Sequence, residues 1–171
     1  MLPVNQLKEL SLHYAKIKEK KEKIQDYKEE AIQQESITKN TLQKIKFFEK
    51  RIMHAVEQGQ LQTVIFRDYI VMTDYAKIVS DAIRAIQAQG LKITIKNGKY
   101  EEPLPETENL PTHPVQMSDF LYTVTADWSE VKPSNEYNIP DYEEMLKTLS
   151  KKVALLSALC QEAEEIVKSK N

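Results

Sequence analysis

Apolar side chains return every seven residues over positions 5–58, a stretch without glycine or interior proline. A repeat of this length marks the seam along which one helix packs against another. The pattern therefore predicts a long helix with a helical partner. Only Thr38 interrupts the leading column. The apolar members of that column are Leu10, Ile17, Ile24, Ala31, Ile45 and Ile52.

A second column lies three residues before the first and changes character along the helix. Its first positions are apolar, its middle positions are charged, and it becomes mostly apolar again toward the C-terminal end. The seam is therefore expected to be dry near its ends and polar between them. The column consists of Leu7, Tyr14, Lys21, Lys28, Glu35, Leu42, Glu49 and Val56.

The ends of this helix are predicted from its flanking residues. Asn5 is a suitable N-terminal cap, and Gly59 is the type of residue found just beyond a helix end. The alternative is a turn at residues 36–40, where Asn40 and Gln43 form a capping pair and the chain folds back into a compact bundle. A continuous helix is favoured because the heptad register is the same on both sides of that stretch.

A short strand and a second helix are predicted next. Thr63–Phe66 is rich in β-branched residues and bounded by Gly59 and Asp68, which is typical of a buried strand, and a helical turn is the alternative. Asp68 is then expected to cap a helix that ends at Gly90. The apolar positions of this helix are Met72, Tyr75, Val79, Ala82 and Ile86.

The following segment predicts a β-hairpin. Residues 92–96 alternate polar and apolar, Asn97-Gly98 tolerates the positive φ of a tight turn, and residues 99–102 resume strand character. Four prolines make residues 103–114 an extended loop. Phe120–Ala126 is expected to add a third strand.

A last helix is predicted after Pro140. Asp141 and Glu144 have the spacing of a capping pair at its start. Its apolar positions again follow a heptad stripe, so this helix is the expected partner of the first. The stripe contains Leu146, Leu149, Val153, Leu156, Cys160, Ala163 and Val167.

The expected fold is mainly α, within the α+β class. A long N-terminal heptad helix packs antiparallel on a C-terminal helix, and a small central part holds one helix and a short antiparallel β-sheet. The expected divisions are a coiled-coil-like arm at 1–58, an α+β part with acidic, proline-rich loops at 59–139, and the returning helix at 140–171.

The lengths of the two long helices suggest how they align. If they end level at Gly59 and Asp141, equal rise per residue carries the last helix back only to about Glu30. This alignment predicts a dry seam of Leu149, Val153 and Leu156 against Leu42, Ile45, Ile52 and Val56. It also leaves an apolar stripe without cover, which is normally an interface. That stripe comprises Leu7, Leu10, Tyr14, Ile17 and Ile24.

Composition indicates a helix-rich intracellular chain. The net charge is −2, hydrophobic residues make up 41% and only three residues are glycine. A single cysteine cannot form an intrachain disulfide, so nothing indicates an oxidising compartment. No secretory signal or long apolar run is present, so we expect a cytoplasmic location and no membrane partner.

The sequence contains no recognisable catalytic or cofactor motif. The three glycines are assigned to two helix ends and one turn, which leaves none for a phosphate-binding loop. The histidines are scattered, and Cys160 lies on a helical seam with acidic neighbours, where a thiol is unreactive. We therefore expect no cofactor, no metal and no enzymatic activity. An enzyme with an unrecognised site, using Asp119, Asp127 and His113, is the third hypothesis.

Charge adds two candidate surfaces. Lysines cluster on the first helix at Lys16–Lys23, and residues 100–146 hold eleven carboxylates against one lysine. The leading hypothesis is a non-enzymatic interaction module, acting as scaffold, adaptor or inhibitor toward another protein or itself as a homo-oligomer. Nucleic-acid binding by the lysine face is the alternative. The candidate partner-binding residues are Leu7, Leu10, Tyr14, Ile17, Ile24, Lys16, Lys20, Lys21, Lys23, Tyr100, Glu101, Glu102, Glu106 and Glu108.

Overall fold

The computed structural model describes residues 3–69, 73–99, 120–130 and 138–168. It confirms the expected fold class: the chain is mainly helical, the long N-terminal helix packs with the C-terminal helix, and a small antiparallel sheet lies between them in sequence. The elements are α1 (Val4–Glu57), β1 (Gln62–Asp68), α2 (Thr73–Gln87), β2 (Lys92–Lys99), β3 (Phe120–Asp127) and α3 (Tyr142–Lys168).

Helix α1 is continuous, which confirms the favoured prediction, and the alternative turn at residues 36–40 is absent. Thr38 stays in the helix because its hydroxyl donates to the carbonyl of Gln34, at 2.8 Å, which satisfies a buried polar group locally. The prediction that Asn5 caps the helix is wrong. The helix begins at Val4, and the carbonyl of Pro3 accepts the amide of Leu7 at 3.1 Å, so Asn5 lies inside the first turn.

The C-terminal end of α1 confirms the role predicted for Gly59. This residue has a φ of 73°, a conformation that a side chain would strain. Its amide donates to the carbonyl of Val56, and the amide of Gln60 donates to that of Ala55, both at 2.9 Å. These two bonds form a Schellman motif, which satisfies carbonyls that the last helical turn leaves open.

The chain forms two compact units. One joins the residues up to Thr38 with those from Tyr142 onward, and the other spans Lys39–Asp141. Helix α1 therefore contributes residues to both units, with the change between Thr38 and Lys39.

Three side-chain contacts fix the alignment of α3 on α1 in the first unit. The Ser150 hydroxyl donates to Glu35 at 2.9 Å, and the Cys160 thiol donates to Gln25 at 3.6 Å. Nearer the end of α3, the Lys21 ammonium lies 3.8 Å from the Glu164 carboxylate. Residue numbers rise on one helix as they fall by equal steps on the other, which confirms the antiparallel packing.

This alignment corrects the predicted register. At equal rise per residue, the contacts place Lys168, the last residue of α3, level with Ile17 rather than near Glu30. Ile24 is therefore half-buried beside α3 and not uncovered. The predicted seam of Leu149, Val153 and Leu156 against Leu42–Val56 is wrong, because this part of α3 lies level with residues 29–36. The C-terminal part of α1 packs instead within the second unit.

The second unit is a three-stranded antiparallel sheet packed with α2 and the C-terminal part of α1. Phe48 is fully buried, with its ring centroid 6.4 Å from that of Phe66 on β1. The side-chain amide of Gln89 donates to the Glu49 carboxylate at 2.9 Å, which connects the chain just after α2 to α1. The other buried apolar side chains on these elements include Ile65, Ile78, Val79, Ala82, Ile86, Val124 and Ala126.

Strand β1 is longer than predicted and contains a β-bulge between Val64 and Phe66. The extra residue allows Ile65 and Phe66, consecutive in sequence, both to be buried. The prediction that Asp68 caps α2 is wrong. Asp68 ends β1 and its carboxylate accepts the amide of Tyr69 at 2.7 Å, whereas α2 begins at Thr73.

The predicted hairpin turn at Asn97-Gly98 is also wrong. The strand order is β1-β3-β2, and β2 runs through both residues while pairing with β3. Gly98 lies opposite Leu121, and Lys99 lies opposite Phe120. Strand β3 gives β2 a partner in which apolar residues alternate with others. The sequence of residues 99–102, which includes two glutamates, lacks this alternation. The third strand itself is confirmed, since β3 contains Phe120–Ala126.

Truncation of Leu149 tests the packing of α3. This side chain is 8% exposed, whereas Leu155 on the same helix is 63% exposed. We expect Leu149→Ala to lower the free energy of unfolding by about 2–5 kcal/mol because it leaves a cavity. Leu155→Ala should change it by no more than about 0.5 kcal/mol. Urea unfolding followed by circular dichroism measures both; equal losses would contradict the assigned seam.

Candidate functional site

The first unit exposes an apolar surface at the start of α1, here named the N-terminal stripe: Leu7, Leu10 and Tyr14. These side chains are 41–42% exposed, and they precede the level at which α3 ends. Ile17, at that level, is half-buried. The predicted uncovered surface therefore consists of three of the five residues assigned to it, and Ile17 and Ile24 mark where α3 provides cover.

Some lysines of the predicted basic face form ion pairs with acidic side chains. The Lys23 ammonium lies 2.9 Å from the Glu19 carboxylate, and Lys21 pairs with Glu164 of α3. The hydrogen bond from Lys23 lowers the pKa of Glu19, and the same bond raises the pKa of Lys23. Lys16 and Lys20 are exposed. Two of the four predicted contact lysines thus already have acidic partners.

The candidate residues of the acidic block lie outside the described residues, and so do two of the three residues named for a catalytic site. The former are Tyr100, Glu101, Glu102, Glu106 and Glu108, and the latter are Asp119 and His113. Of the three residues named for a catalytic site, the structure describes only Asp127.

Asp127 ends β3 and has a structural role there. Its carboxylate accepts the amide of Ser129 at 2.9 Å and the Ser129 hydroxyl at 2.7 Å. The hydroxyl bond, followed by the amide bond, lowers the pKa of this carboxyl, and Lys92 on β2 lowers it further. A carboxylate with a lowered pKa stays ionised near neutral pH, so Asp127 is a poor proton donor there.

The outer face of the sheet is polar. Residues paired directly across antiparallel strands share a face, so this surface consists of three rows that cross β1, β3 and β2. It forms part of an open groove of about 1040 Å³ that also includes the chain from Gly59 to Leu61. The rows are Gln62–Asp127–Lys92, Val64–Thr125–Thr94 and Arg67–Thr123–Lys96.

A smaller and more apolar groove lies between α2 and the inner face of the sheet, and it is named here the α2–β2 groove. Its volume is about 290 Å³. Ile95 of β2 is 54% exposed beside it, although a residue on this face would ordinarily be covered. The main apolar residues that line it are Val79, Ile83, Ile95, Tyr122 and Val124.

Sequence patterns did not identify this groove. The alternation of Ile93 and Ile95 in a strand is visible, but the groove depends on where α2 crosses the sheet. No local pattern specifies that position.

A cluster of aromatic rings surrounds Lys44 on α1. Its ammonium lies 5.4–6.0 Å from the ring centroids of Phe47, Phe66 and Tyr75. Burial raises the pKa of the Tyr75 hydroxyl, and the negative charge of Asp68 raises it further. The arrangement is a cation–π contact that ties α1 to β1 and α2, which is a sufficient structural role.

No protein-family model matches the chain, and no curated protein or solved structure is significantly similar to it. Among the described residues, histidine, cysteine and carboxylate side chains do not gather in threes at a spacing that would hold a metal ion. The described helices include none that is long and apolar enough to cross a membrane.

The lowered pKa of Asp127 predicts a pH dependence. A carboxyl whose pKa is lower in the folded than in the unfolded state stabilises the fold above its unfolded pKa, and this contribution is lost as the pH falls through the folded value. Asp127→Asn keeps an acceptor for Ser129 without the charge. We therefore expect the melting temperatures of the two proteins to differ most near neutral pH and to converge in acid. A constant difference across the acid range would contradict the assignment.

Proposed function

We propose that this protein is a non-enzymatic interaction module, a scaffold, adaptor or inhibitor, whose N-terminal stripe packs against the same stripe of a second copy. The observation that supports this is the exposure of Leu7, Leu10 and Tyr14 where α3 ends. These residues continue the heptad seam that α3 covers further along α1. A seam of this type is stable when a second helix fills it.

Charge favours an antiparallel arrangement of the two copies. A parallel pair in register would place Lys8, Lys16, Lys18 and Lys20 of one copy level with the same lysines of the other. Like charges oppose association. In an antiparallel pair Leu10 of one copy faces Tyr14 of the other, and Leu7 faces Ile17. In this alignment Lys18 lies level with Gln6 and Lys20 lies level with Val4. Of these four lysines, only Lys8 and Lys16 lie level with each other.

The small size of the stripe limits the strength of this contact. Three exposed apolar side chains per copy bury less than the roughly 1,200–2,000 Å² of a stable interface. We therefore expect weak, reversible dimerisation, with a dissociation constant from tens of micromolar upward. Such a contact suits an arm that exchanges partners.

A pair of charge substitutions tests the proposal. Leu10→Glu places a charge in the stripe and should shift the dimer dissociation constant upward by about tenfold or more. Leu12→Glu is the matched control, because Leu12 is 56% exposed and lies about 200° around the helix from Leu10. Sedimentation equilibrium over a wide concentration range gives both constants.

Three outcomes count against the proposal. A chain that stays monomeric at every concentration would exclude self-association through the stripe. Equal weakening by Leu10→Glu and Leu12→Glu would indicate unspecific apolar contact. The chain alone could stay monomeric while a helix of another protein binds it in a Leu10-dependent manner. That result would show that the stripe is an interface but that its occupant is not a second copy.

The acidic block is the second element of the proposed function, and it rests on sequence alone. Eleven carboxylates against one lysine over residues 100–146 suit recognition of a basic partner. Replacing Glu101, Glu102, Glu106 and Glu108 by Gln should leave the fold intact, slow association with that partner and reduce its salt dependence. Surface plasmon resonance at two salt concentrations measures this. Unchanged association would reduce the block to a solubilising segment.

Nucleic-acid binding is not proposed. The ion pairs Lys23–Glu19 and Lys21–Glu164 reduce the number of cations available for phosphates. Affinity for nucleic acid depends on that number.

A further inference from the structure

Strand β2 forms an edge of the sheet. The strand order is β1-β3-β2, and among the described residues no strand pairs with the outer side of β2. The backbone amides and carbonyls of every second residue of an edge strand point away from the sheet. Such a row of groups can hydrogen-bond to another extended chain.

The two edges of the sheet differ in regularity. Strand β1 carries a bulge between Val64 and Phe66, which twists an edge and interrupts pairing. Strand β2 pairs with β3 at every residue from Lys92 to Lys99 without a shift in register. It also contains no proline. Its outer side is therefore the better template for an added strand.

The α2–β2 groove lies directly beside this edge. Ile95 of β2 is more than half exposed, and the groove floor includes the buried Val79 and Val124. Ile83 adds a further apolar wall from α2. A strand added to β2 would direct alternate side chains toward the same face as Ile95, and therefore toward the groove. The groove is apolar enough to take aliphatic side chains.

The charges around the edge specify the rest of the occupant. Lys92 and Lys96 lie on the opposite face of β2 from Ile95, since successive side chains alternate between faces. The Arg84 side chain lines the groove, is largely exposed and lies 3.9 Å from the Asp81 carboxylate. Lys92 lies opposite Asp127 of β3, so Lys96 is the lysine of this face that has no acidic residue opposite it on β3. Lysines on an edge strand oppose pairing with a second, identical edge. They favour a strand that carries carboxylates.

We propose that the outer edge of β2 and the α2–β2 groove bind an extended, acidic segment of another protein by adding it to the sheet as a fourth strand. Alternate apolar residues of that segment enter the groove beside Ile95 and Ile83. The intervening acidic residues lie beside Lys92 and Lys96. Main-chain hydrogen bonds hold the segment, and this alternation of pockets and charges selects it.

A synthetic peptide tests the proposal on the full chain. The probe is a capped peptide of about seven residues, the length of a typical strand, in which glutamate alternates with valine. Its control has lysine in place of glutamate. We expect saturable binding of the acidic peptide by fluorescence anisotropy and at least about tenfold weaker binding of the basic one. Amide NMR shifts should concentrate on β2 and α2.

Variants of the chain separate the groove from the charges. Ile95→Glu should weaken binding of the acidic peptide by about tenfold or more, because it charges the groove. Lys96→Glu should reduce or reverse the preference for the acidic peptide. Val64→Glu is the matched control, since Val64 is also an exposed strand residue but lies on β1. This variant should bind as the unaltered chain does.

Peptide backbone modification tests strand addition itself. N-methylation of the alternate residues that face β2 should abolish binding, and methylation of the other set should leave it unchanged. Equal loss with both sets, absence of saturation, or unchanged binding by Ile95→Glu would overturn the proposal. The proposal would also be overturned if the chain did not bind the peptide and Ile95→Glu dissociated a dimer. That result would indicate that a second copy of the chain occupies the edge. Leu10→Glu should not affect peptide binding, so this test is independent of the proposed self-association.

Discussion

The structure depends on the apolar column of α1, which serves two different sets of partners. Up to Thr38 the helix belongs to the unit that contains α3, and from Lys39 it belongs to the unit that contains the sheet and α2. Thr38 is the one polar member of the column and lies where the unit changes. Because its hydroxyl bonds to Gln34 in the same helix, it needs no partner from either unit. The helix can therefore stay continuous while its packing partners change.

Periodicity predicted which faces of α1 and α3 meet, but not their alignment along the axis. A heptad pattern looks the same after a shift of seven residues, so it restricts the register to a set of equivalent offsets. The observed alignment differs from the predicted one by about two heptads. The same columns still meet, which is why the antiparallel pair and the buried Leu149 and Cys160 were predictable. The C-terminal part of α1, including Phe48, packs within the second unit, and the heptad pattern does not show this.

The errors in the sheet have a similar origin. Asn97-Gly98 tolerates a tight turn, but a local preference does not determine which strand supplies the ladder, and β3 lies more than twenty residues away in sequence. The bulge that buries both Ile65 and Phe66 also depends on pairing with β3. The α2–β2 groove was not predictable because it requires a helix and a strand at a particular separation. By contrast, the N-terminal stripe was largely predictable, since it needs only one helix and the point where its partner ends.

The two proposed surfaces use different physical means of recognition, and this difference favours an adaptor over an inhibitor. The N-terminal stripe offers apolar side chains on a helix, whereas the β2 edge offers backbone groups with alternating apolar and charged positions. The stripe belongs to the first unit and the edge to the second, and they share no residue. Occupation of one therefore leaves the binding groups of the other in place. If two copies associate through their stripes, each pair presents two β2 edges. A partner with two acidic segments then binds the second segment at a raised effective concentration, so weak contacts of both kinds can give a stable assembly.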